Sequence, residues 1–268
     1  MKRILVTGKS SFIAGHFARH MESYRDGYSV ELVSVRGDSW KGIDFSRYDC
    51  VIHAAGIAHV GYRDELRDEY MKVNRDLTLD IAKAAKAAGV NQFIFLSSII
   101  IYGPAAKAGK TRYITADTAP APENAYGESK LLAERGLEKL SDAGFHTAIL
   151  RLPMVYGEGC RGNYALLTKY ADLLPVFPAK CGFRSAIAVE ALAEKLRRCI
   201  DANTCGIFFP QDDEYMTTPG MLRDIRRARG KKTCITRAFD WAISLFGNIG
   251  VMRRIFGGIA YDKTLPGI

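Results

Sequence analysis

The sequence predicts an α/β fold: a doubly wound parallel sheet followed by a smaller, helix-rich C-terminal lobe. Three observations predict it. Short β-branched runs alternate with helical patterns through the first half of the chain. Those runs are continuously apolar rather than alternating, as strands covered on both faces are. The length, 268 residues, exceeds one domain of ~150 residues without reaching two.

The elements follow in order. Arg3 to Val6 reads as the first strand, then a turn and a helix over Phe12–Tyr24. Ser29 to Val35 and Cys50 to His53 read as the second and third strands. The link between them is short and rich in Gly and Asp, which argues against a crossover helix there. Helical spacing runs from about Asp64 to Ala88, with Leu66, Tyr70, Val73, Leu77, Ile81 and Ala84 on one stripe. Phe93 to Ser97 is an apolar strand, a proline-containing loop follows, Ala125–Ala143 is helical, and His146 to Arg151 is again a strand. After Gly157 the pattern loosens, with helices expected at Tyr164–Leu173, Val189–Ile200 and Thr218–Arg229 and a short strand at Ile207–Phe209. Six or seven strands in the main sheet are expected. The stretch Arg237–Ile255 is amphipathic and carries Trp241, Leu245, Ile249, Val251 and Ile255. Arg253 and Arg254 near its end admit a membrane-surface role, but packing inside the small lobe is the favoured reading.

Composition narrows the function classes. Apolar residues at 48% and charged residues at 25% exclude disordered and fibrous architectures. A net charge of +9 favours an anionic partner: nucleic acid, a phosphorylated small molecule or an acidic membrane surface. The densest basic cluster is Arg223, Arg226, Arg227, Arg229, Lys231 and Lys232, at the end of one predicted helix. It has no interleaved aromatics and reads as a solvated face, so no nucleic-acid partner is expected. Six scattered cysteines (Cys50, Cys160, Cys181, Cys199, Cys205, Cys234) argue against a metal site or a disulfide framework and suit a reducing cytosol. The apolar run in MKRILVTG is too short for a signal-peptide core, and no segment approaches the ~18 apolar residues of a membrane span. A cytoplasmic protein without a transmembrane segment is expected.

Three motifs carry chemistry. Thr7-Gly8-Lys9-Ser10-Ser11-Phe12-Ile13-Ala14 joins the first strand to the first helix, where converging backbone N–H groups and the helix N-terminus favour a dinucleotide pyrophosphate. Tyr126-Gly-Glu-Ser-Lys130 opens a helix and puts a phenol and an ammonium on one face. A free phenol, with a pKa of about 10, is a poor base at neutral pH, but a neighbouring cation stabilises phenolate. In isolation the pair also fits an ordinary surface pair. Ser97-Ser98-Ile99-Ile100-Ile101-Tyr102-Gly103 follows the fourth strand, where a hydroxyl points into the ligand crevice or simply caps a turn.

In this order and spacing the motifs resemble the extended short-chain dehydrogenase/reductase family, in its NAD-dependent epimerase/dehydratase branch of UDP-glucose 4-epimerase-like enzymes. The resemblance runs over nearly the whole chain. It includes His53-Ala54-Ala55-Gly56, Asn74, Arg151-Leu152-Pro153-Met154-Val155-Tyr156-Gly157, Gly162-Asn163 and Arg184-Ser185-Ala186-Ile187-Ala188-Val189-Glu190. It implies a Rossmann-type cofactor domain over residues 1–157, with later strand returns, and a substrate lobe over 158–268. It also implies that Tyr126 is the catalytic acid/base and that Lys130 holds the nicotinamide ribose and lowers the phenol pKa. Ser98 then hydrogen-bonds the reacting sugar oxygen. Gly8, Ser11, Phe12 and Ile13 line the pyrophosphate and adenosine site; Ala54, Ala55, Gly56, Asn74 and Pro153 complete the cofactor's surroundings. Asn163 and Arg184 hold the diphosphate of a nucleotide sugar, expected to be UDP-linked.

Departures from the family pattern are local. Ser11 and Ala14 replace two glycines of the first turn, and Ser11 puts a side chain where the backbone usually approaches the pyrophosphate. The acidic residue that usually follows the second strand is missing; Arg36, with Lys9, leans the cofactor from NAD towards NADP. Arg184-Ser185-Ala186 replaces R-D-F, and the family's usual C-terminal tail is absent, which suggests an incomplete lobe. The expected activity is nucleotide-sugar 4-epimerisation through a 4-keto intermediate. The alternatives are an NADPH-dependent 4-keto-sugar-nucleotide reductase and a non-catalytic NAD(P)-binding protein. A dehydratase is disfavoured because Ile99 and Ile100 stand where that branch places its acid and base. A homodimer through the helices Asp64–Ala88 and Ala125–Ala143 is a further expectation.

Overall fold

A computed structural model of the chain describes all residues except 59–65, 161–163, 165–166, 170 and 172–174. The main sheet is built from β1 (Lys2–Thr7), β2 (Tyr28–Val33), β3 (Cys50–His53), β4 (Gln92–Ser98), β6 (His146–Leu152) and β11 (Gly206–Phe208). Its order is β11-β6-β4-β3-β1-β2, and every pairing is parallel. The continuous apolar strands have a direct cause. Ile4, Val6, Cys50, Ile52, Ile94 and Leu96 point into one core, while Leu5, Val51, Phe93 and Phe95 point into the other. Both faces of each strand are therefore dry.

Helix α1 (Phe12–Met21) and α4 (Val189–Asp201) cover the first face through Ala14, Phe17, Met21, Leu192, Ala193 and Leu196. The second face is covered by α2 and α3 (Ala125–Leu140). Helix α2 runs as Arg67–Tyr70, a π-helical stretch Met71–Asp76, and Leu77–Ala87. The π stretch changes which residues face inwards. Tyr70, Met71, Asn74, Thr78, Ile81, Ala82 and Ala85 are buried, whereas Val73, Leu77 and Ala84 of the expected stripe are only partly so. A wide turn rotates the helix face, which a fixed period of 3.6 does not anticipate. The first residues of the expected helix, Asp64 and Glu65, lie outside the described residues.

Between β2 and β3 two 3₁₀ turns, Ser39–Gly42 and Phe45–Arg47, stand in place of a crossover helix. Phe45 and Tyr48 fill the space from the side. Strand β1 lies between β2 and β3, so the connections leave it in opposite directions. The carboxyl ends of β1 and β3, where the strand order reverses, are where a ligand crevice forms in such sheets.

After β7 (Met154–Tyr156) the chain returns to the main sheet through α4 and β11. The smaller structure is a set of strand pairs with α5 (Thr218–Ala228): β10 (Ala186–Ala188) with β7, β8 (Val176–Pro178) with β13 (Cys234–Thr236), and β9 (Phe183–Arg184) with β12 (Met216–Thr217). It also takes β5 (Thr111–Ile114) from the first half, paired with β14 (Gly258–Tyr261).

Two surface expectations need correction. Arg226 does not belong to a solvated face: it is buried and donates to the carbonyls of Ala171 and Lys232, tying α5 to its neighbours. Residues 237–255 do not form one packed helix. They form α6 (Asp240–Phe246) and α7 (Gly250–Phe256), with Trp241, Leu245, Ile249 and Val251 exposed and Ile243 buried. Gly247 and Gly250 interrupt the helix, and a Cβ at Gly247 would meet the Ile243 carbonyl at 2.6 Å. No helix among the described residues is long and apolar enough to cross a membrane.

His53 ties the two connections at the crevice together. Thr78 Oγ1 gives its proton to the Asn74 carbonyl at 2.8 Å. It must then accept from His53 Nε2 at 3.1 Å, leaving Nδ1 to accept from Thr7 Oγ1 at 2.8 Å. Burial, with the Lys130 charge adding, pushes the imidazole pKa down to about 3 from 6.5. The folded protein therefore keeps His53 neutral where an unfolded chain takes up a proton, and stability contributed by His53 falls as pH drops from 6.5 towards 3. Melting curves from about pH 7 to about pH 4.5 should show a steeper loss for the wild type than for His53→Asn, which lacks the titrating ring.

Candidate active site

The loop after β1 is shaped by Gly8, at φ +86°, where a Cβ would meet Ala55 N at 2.8 Å. Only glycine takes this conformation cheaply, and only glycine lets the loops after β1 and β3 approach so closely. Gly8 N and Lys9 N donate to the Val33 carbonyl, and Ser11 N donates to Gly8 O. This leaves the first turn of α1, with Phe12 and Ile13 part-buried, facing the crevice mouth. Ser11 takes the N-cap position with extended backbone, and its hydroxyl makes no capping bond. Such a helix start suits a pyrophosphate.

Across the crevice, Asn74 clamps the loop after β3. Its Oδ1 accepts from Ile57 N at 2.9 Å, and its Nδ2 donates to Ile57 O at 3.0 Å and to Ser129 Oγ at 3.2 Å. A Cβ at Gly56 would come within 2.9 Å of Asn74 Oδ1 and 3.5 Å of Lys130 Nζ. Ala54, Ala55 and Gly56 thus present a side-chain-poor surface directly opposite the lysine. A flat dinucleotide ring system fits such a surface, so the residues present fit the cofactor.

Helix α3 begins at Asn124, whose side chain accepts from Gly127 N at 2.8 Å. That start places Tyr126 in the first turn and Lys130 one turn later. The ends of β4 and α3 bring the Ser98 hydroxyl close enough to the Tyr126 phenol to act on its ionisation. Burial pushes the Tyr126 pKa up to about 12, with Ser98 pulling the other way. Lys130 Nζ donates to the Leu96 carbonyl at 2.9 Å and lies 4.5 Å from the centre of the Phe95 ring. Burial lowers its pKa to about 8, with Glu134 opposing, so it remains mostly charged at neutral pH. In this arrangement the lysine points at the end of β4 and is not among the groups that act on the phenol.

A family model described as the NAD dependent epimerase/dehydratase family matches residues 4–174. The chain belongs to this family. A UDP-glucose 4-epimerase from Vibrio cholerae is 30% identical over 271 residues, spanning 96% of this chain and 81% of that one. Among solved structures, a UDP-glucuronic acid 4-epimerase from Bacillus cereus in complex with NAD aligns with a TM-score of 0.71 at 17% identity, covering 98% of this chain and 90% of that one. A dTDP-4-dehydrorhamnose reductase from Bacillus anthracis in complex with NADP gives 0.74 at 14% identity, covering 100% and 95%. At such identities these structures share the fold. The protein is an NAD(P)-dependent enzyme of the sugar-nucleotide epimerase/reductase kind.

The remaining site residues expected from the family resemblance are dispersed. Pro153 is buried between β6 and β7. Arg36 is exposed beyond the end of β2. Asn163 lies outside the described residues. Arg184 is turned towards α7, with Nη2 donating to the carbonyls of Arg254 and Ile255, while Nε is buried without a partner. Burial and the Arg254 charge lower its pKa to about 10. A separate cavity of about 530 Å³ opens beside Tyr156 and is lined by Asp212, Thr217, Arg223 and Asp224. Tyr156 donates to Asp212 Oδ2 there at 2.8 Å.

Motif reading did not single out Glu134. It is 1% exposed and accepts from Arg151 Nη2 at 2.8 Å, Arg151 Nε at 3.1 Å and Ser97 Oγ. Arg151 Nη1 in turn donates to Tyr102 Oη at 2.6 Å. The available signal was Glu134 lying four residues after Lys130, on the same inward face of α3. Removing one partner of a buried pair leaves an uncompensated charge. Glu134→Ala should therefore cost about 3–5 kcal/mol in urea unfolding, and a Glu134→Leu/Arg151→Met double variant should recover most of it.

Proposed function

We propose that the protein is a nucleotide-sugar 4-epimerase acting on a UDP-linked sugar through a 4-keto intermediate. The observation that carries this reading is the Ser98–Tyr126 hydroxyl pair at the end of β4, one helical turn from the buried Lys130 ammonium facing Gly56 and Asn74. Similarity over 96% of the chain to a UDP-glucose 4-epimerase supports epimerisation as the activity.

In this reading Ser98 orients the C4 hydroxyl of the sugar and Tyr126 takes its proton. Bound NAD supplies reversible hydride acceptance at the same carbon. A phenol near 12 is too weak a base unaided. Lys130, one turn along α3, would hold the cofactor ribose and supply a cation near the phenol. Rotation of the 4-keto sugar would let C4 regain hydride on its opposite face while Tyr126 returns the proton to the C4 oxygen, which completes the inversion. Gly8, Ser11, Phe12 and Ile13 hold the dinucleotide diphosphate at the N-terminus of α1, and Ala54, Ala55, Gly56, Asn74 and Pro153 enclose the rest of the cofactor. Arg184, whose Nε has no partner, and Asn163 take the diphosphate of the substrate.

A second reading is an NADPH-dependent 4-keto-sugar-nucleotide reductase. The exposed Arg36 beyond β2, where no carboxylate directly ends the strand, favours it because a guanidinium there pairs with a 2′-phosphate.

Incubation with UDP-glucose, UDP-N-acetylglucosamine and their C4 epimers, without added reductant, should show interconversion by NMR. No interconversion, with NADPH oxidation on addition of a UDP-4-keto-6-deoxy sugar, selects the reductase. Tyr126→Phe should lower turnover ~10²–10⁴-fold while leaving melting and NAD binding unchanged; retention of half the activity refutes the assigned proton path. Arg36→Ala should weaken NADPH binding more than NADH binding in titrations of both cofactors, and equal losses remove the NADP preference.

A further inference from the structure

Residues 237–256 combine an apolar surface with a basic rim. Phe239, Trp241, Leu245, Phe246, Ile249 and Val251 are each 44–68% exposed. They follow one another along α6, the intervening turn and the start of α7 within about a dozen residues.

The hairpin is tied to the neighbouring segments by hydrogen bonds. Asp240 Oδ1 accepts from Lys180 N at 2.8 Å, and Ser244 Oγ accepts from Lys180 Nζ at 2.7 Å. Gly247 O accepts from Ala108 N at 3.1 Å, and Arg253 Nε donates to the Ala105 carbonyl at 2.6 Å. Ile243 anchors α6 from the inner side, while the larger apolar side chains around it face outwards.

Charge identifies the occupant. Asp240 is the one carboxylate in residues 237–256, and it is engaged by the Lys180 amide. Arg237 and Arg254 are exposed at the two ends, and exposed Lys107 stands beside Gly247. The chain as a whole carries +9. An anionic lipid surface complements both the basic rim and the apolar centre.

We propose that the α6–α7 face docks the protein peripherally on an anionic phospholipid surface. Trp241, Leu245 and Ile249 enter the boundary between headgroups and acyl chains, while Arg237 and Arg254 meet headgroup phosphates.

The chain has two tryptophans, so Trp40→Phe leaves Trp241 as the sole indole reporter. Vesicles of equal parts phosphatidylglycerol and phosphatidylcholine should shift its fluorescence to the blue and carry the protein down on sedimentation. Phosphatidylcholine alone should do neither, and added salt should weaken binding. Trp241→Ser/Leu245→Ser in the otherwise wild-type chain should abolish sedimentation while melting as the wild type does, both side chains being exposed. Arg237→Gln and Arg254→Gln should each weaken binding about fivefold. Absence of vesicle sedimentation by the wild-type chain overturns the proposal. So does a dimer in analytical ultracentrifugation that Trp241→Ser/Leu245→Ser disrupts, which assigns the face to contact between copies. These readouts do not involve turnover, so they stand or fall independently of the proposed activity.

Discussion

The buried Glu134–Arg151 pair is the constraint on which the site depends. It joins the middle of α3 to the end of β6, and through Ser97 and Tyr102 it reaches the end of β4 and the turn beyond. A helix lying on a sheet can slide or roll by small amounts when only apolar side chains meet. A forked guanidinium–carboxylate contact fixes both its rotation and its height. Tyr126 and Lys130 lie two turns and one turn before Glu134 on that helix, so their distances to Ser98 and the Leu96 carbonyl follow from its placement. The pair's net contribution to stability is a separate matter, because burying two charges costs much of what their attraction returns.

The opposite wall of the crevice is set by close backbone approach. Gly8 lets the loop after β1 lie against Ala55, and Asn74 then holds the loop after β3 through three hydrogen bonds. Behind them, neutral His53 spans from Thr7 to Thr78, so both connections are braced by one ring that carries no charge. Neutrality is consistent with the adjacent Lys130: a second cation there would raise the cost of burying either.

Much of this was legible in the sequence. Strands buried on both faces write themselves as unbroken apolar runs, which is why β1, β3, β4 and β6 were located within a residue or two. The turn at Gly8 and the Tyr126–Lys130 spacing are local patterns, readable where they stand. What the sequence concealed depends on distant partners. Arg226 reads as surface until Ala171 and Lys232 supply carbonyls for it. The buried face of α2 includes Asn74 and Thr78, polar residues that an apolar count passes over, and the π-helical stretch moves the face itself. Residues 237–255 have the periodicity of a packed helix, but two glycines break it and α6 is anchored from the inner side by Ile243.

The pairing of β5 with β14 bears on the order in which the molecule assembles. Thr111 aligns with Gly258 and Ile114 with Tyr261, so the segment between β4 and α3 is held by a strand from far along the chain. Contacts of such long sequence separation form late, because a large loop must close before they yield any stabilisation. The nucleotide-facing half, with its local strand–helix–strand units, can condense while that segment is still unpaired. The Tyr102–Tyr261 and Phe209–Tyr261 ring contacts, which back the end of β4, arrive with the same event. In the order of synthesis, a growing chain therefore has a cofactor crevice before it has a fully backed reaction site.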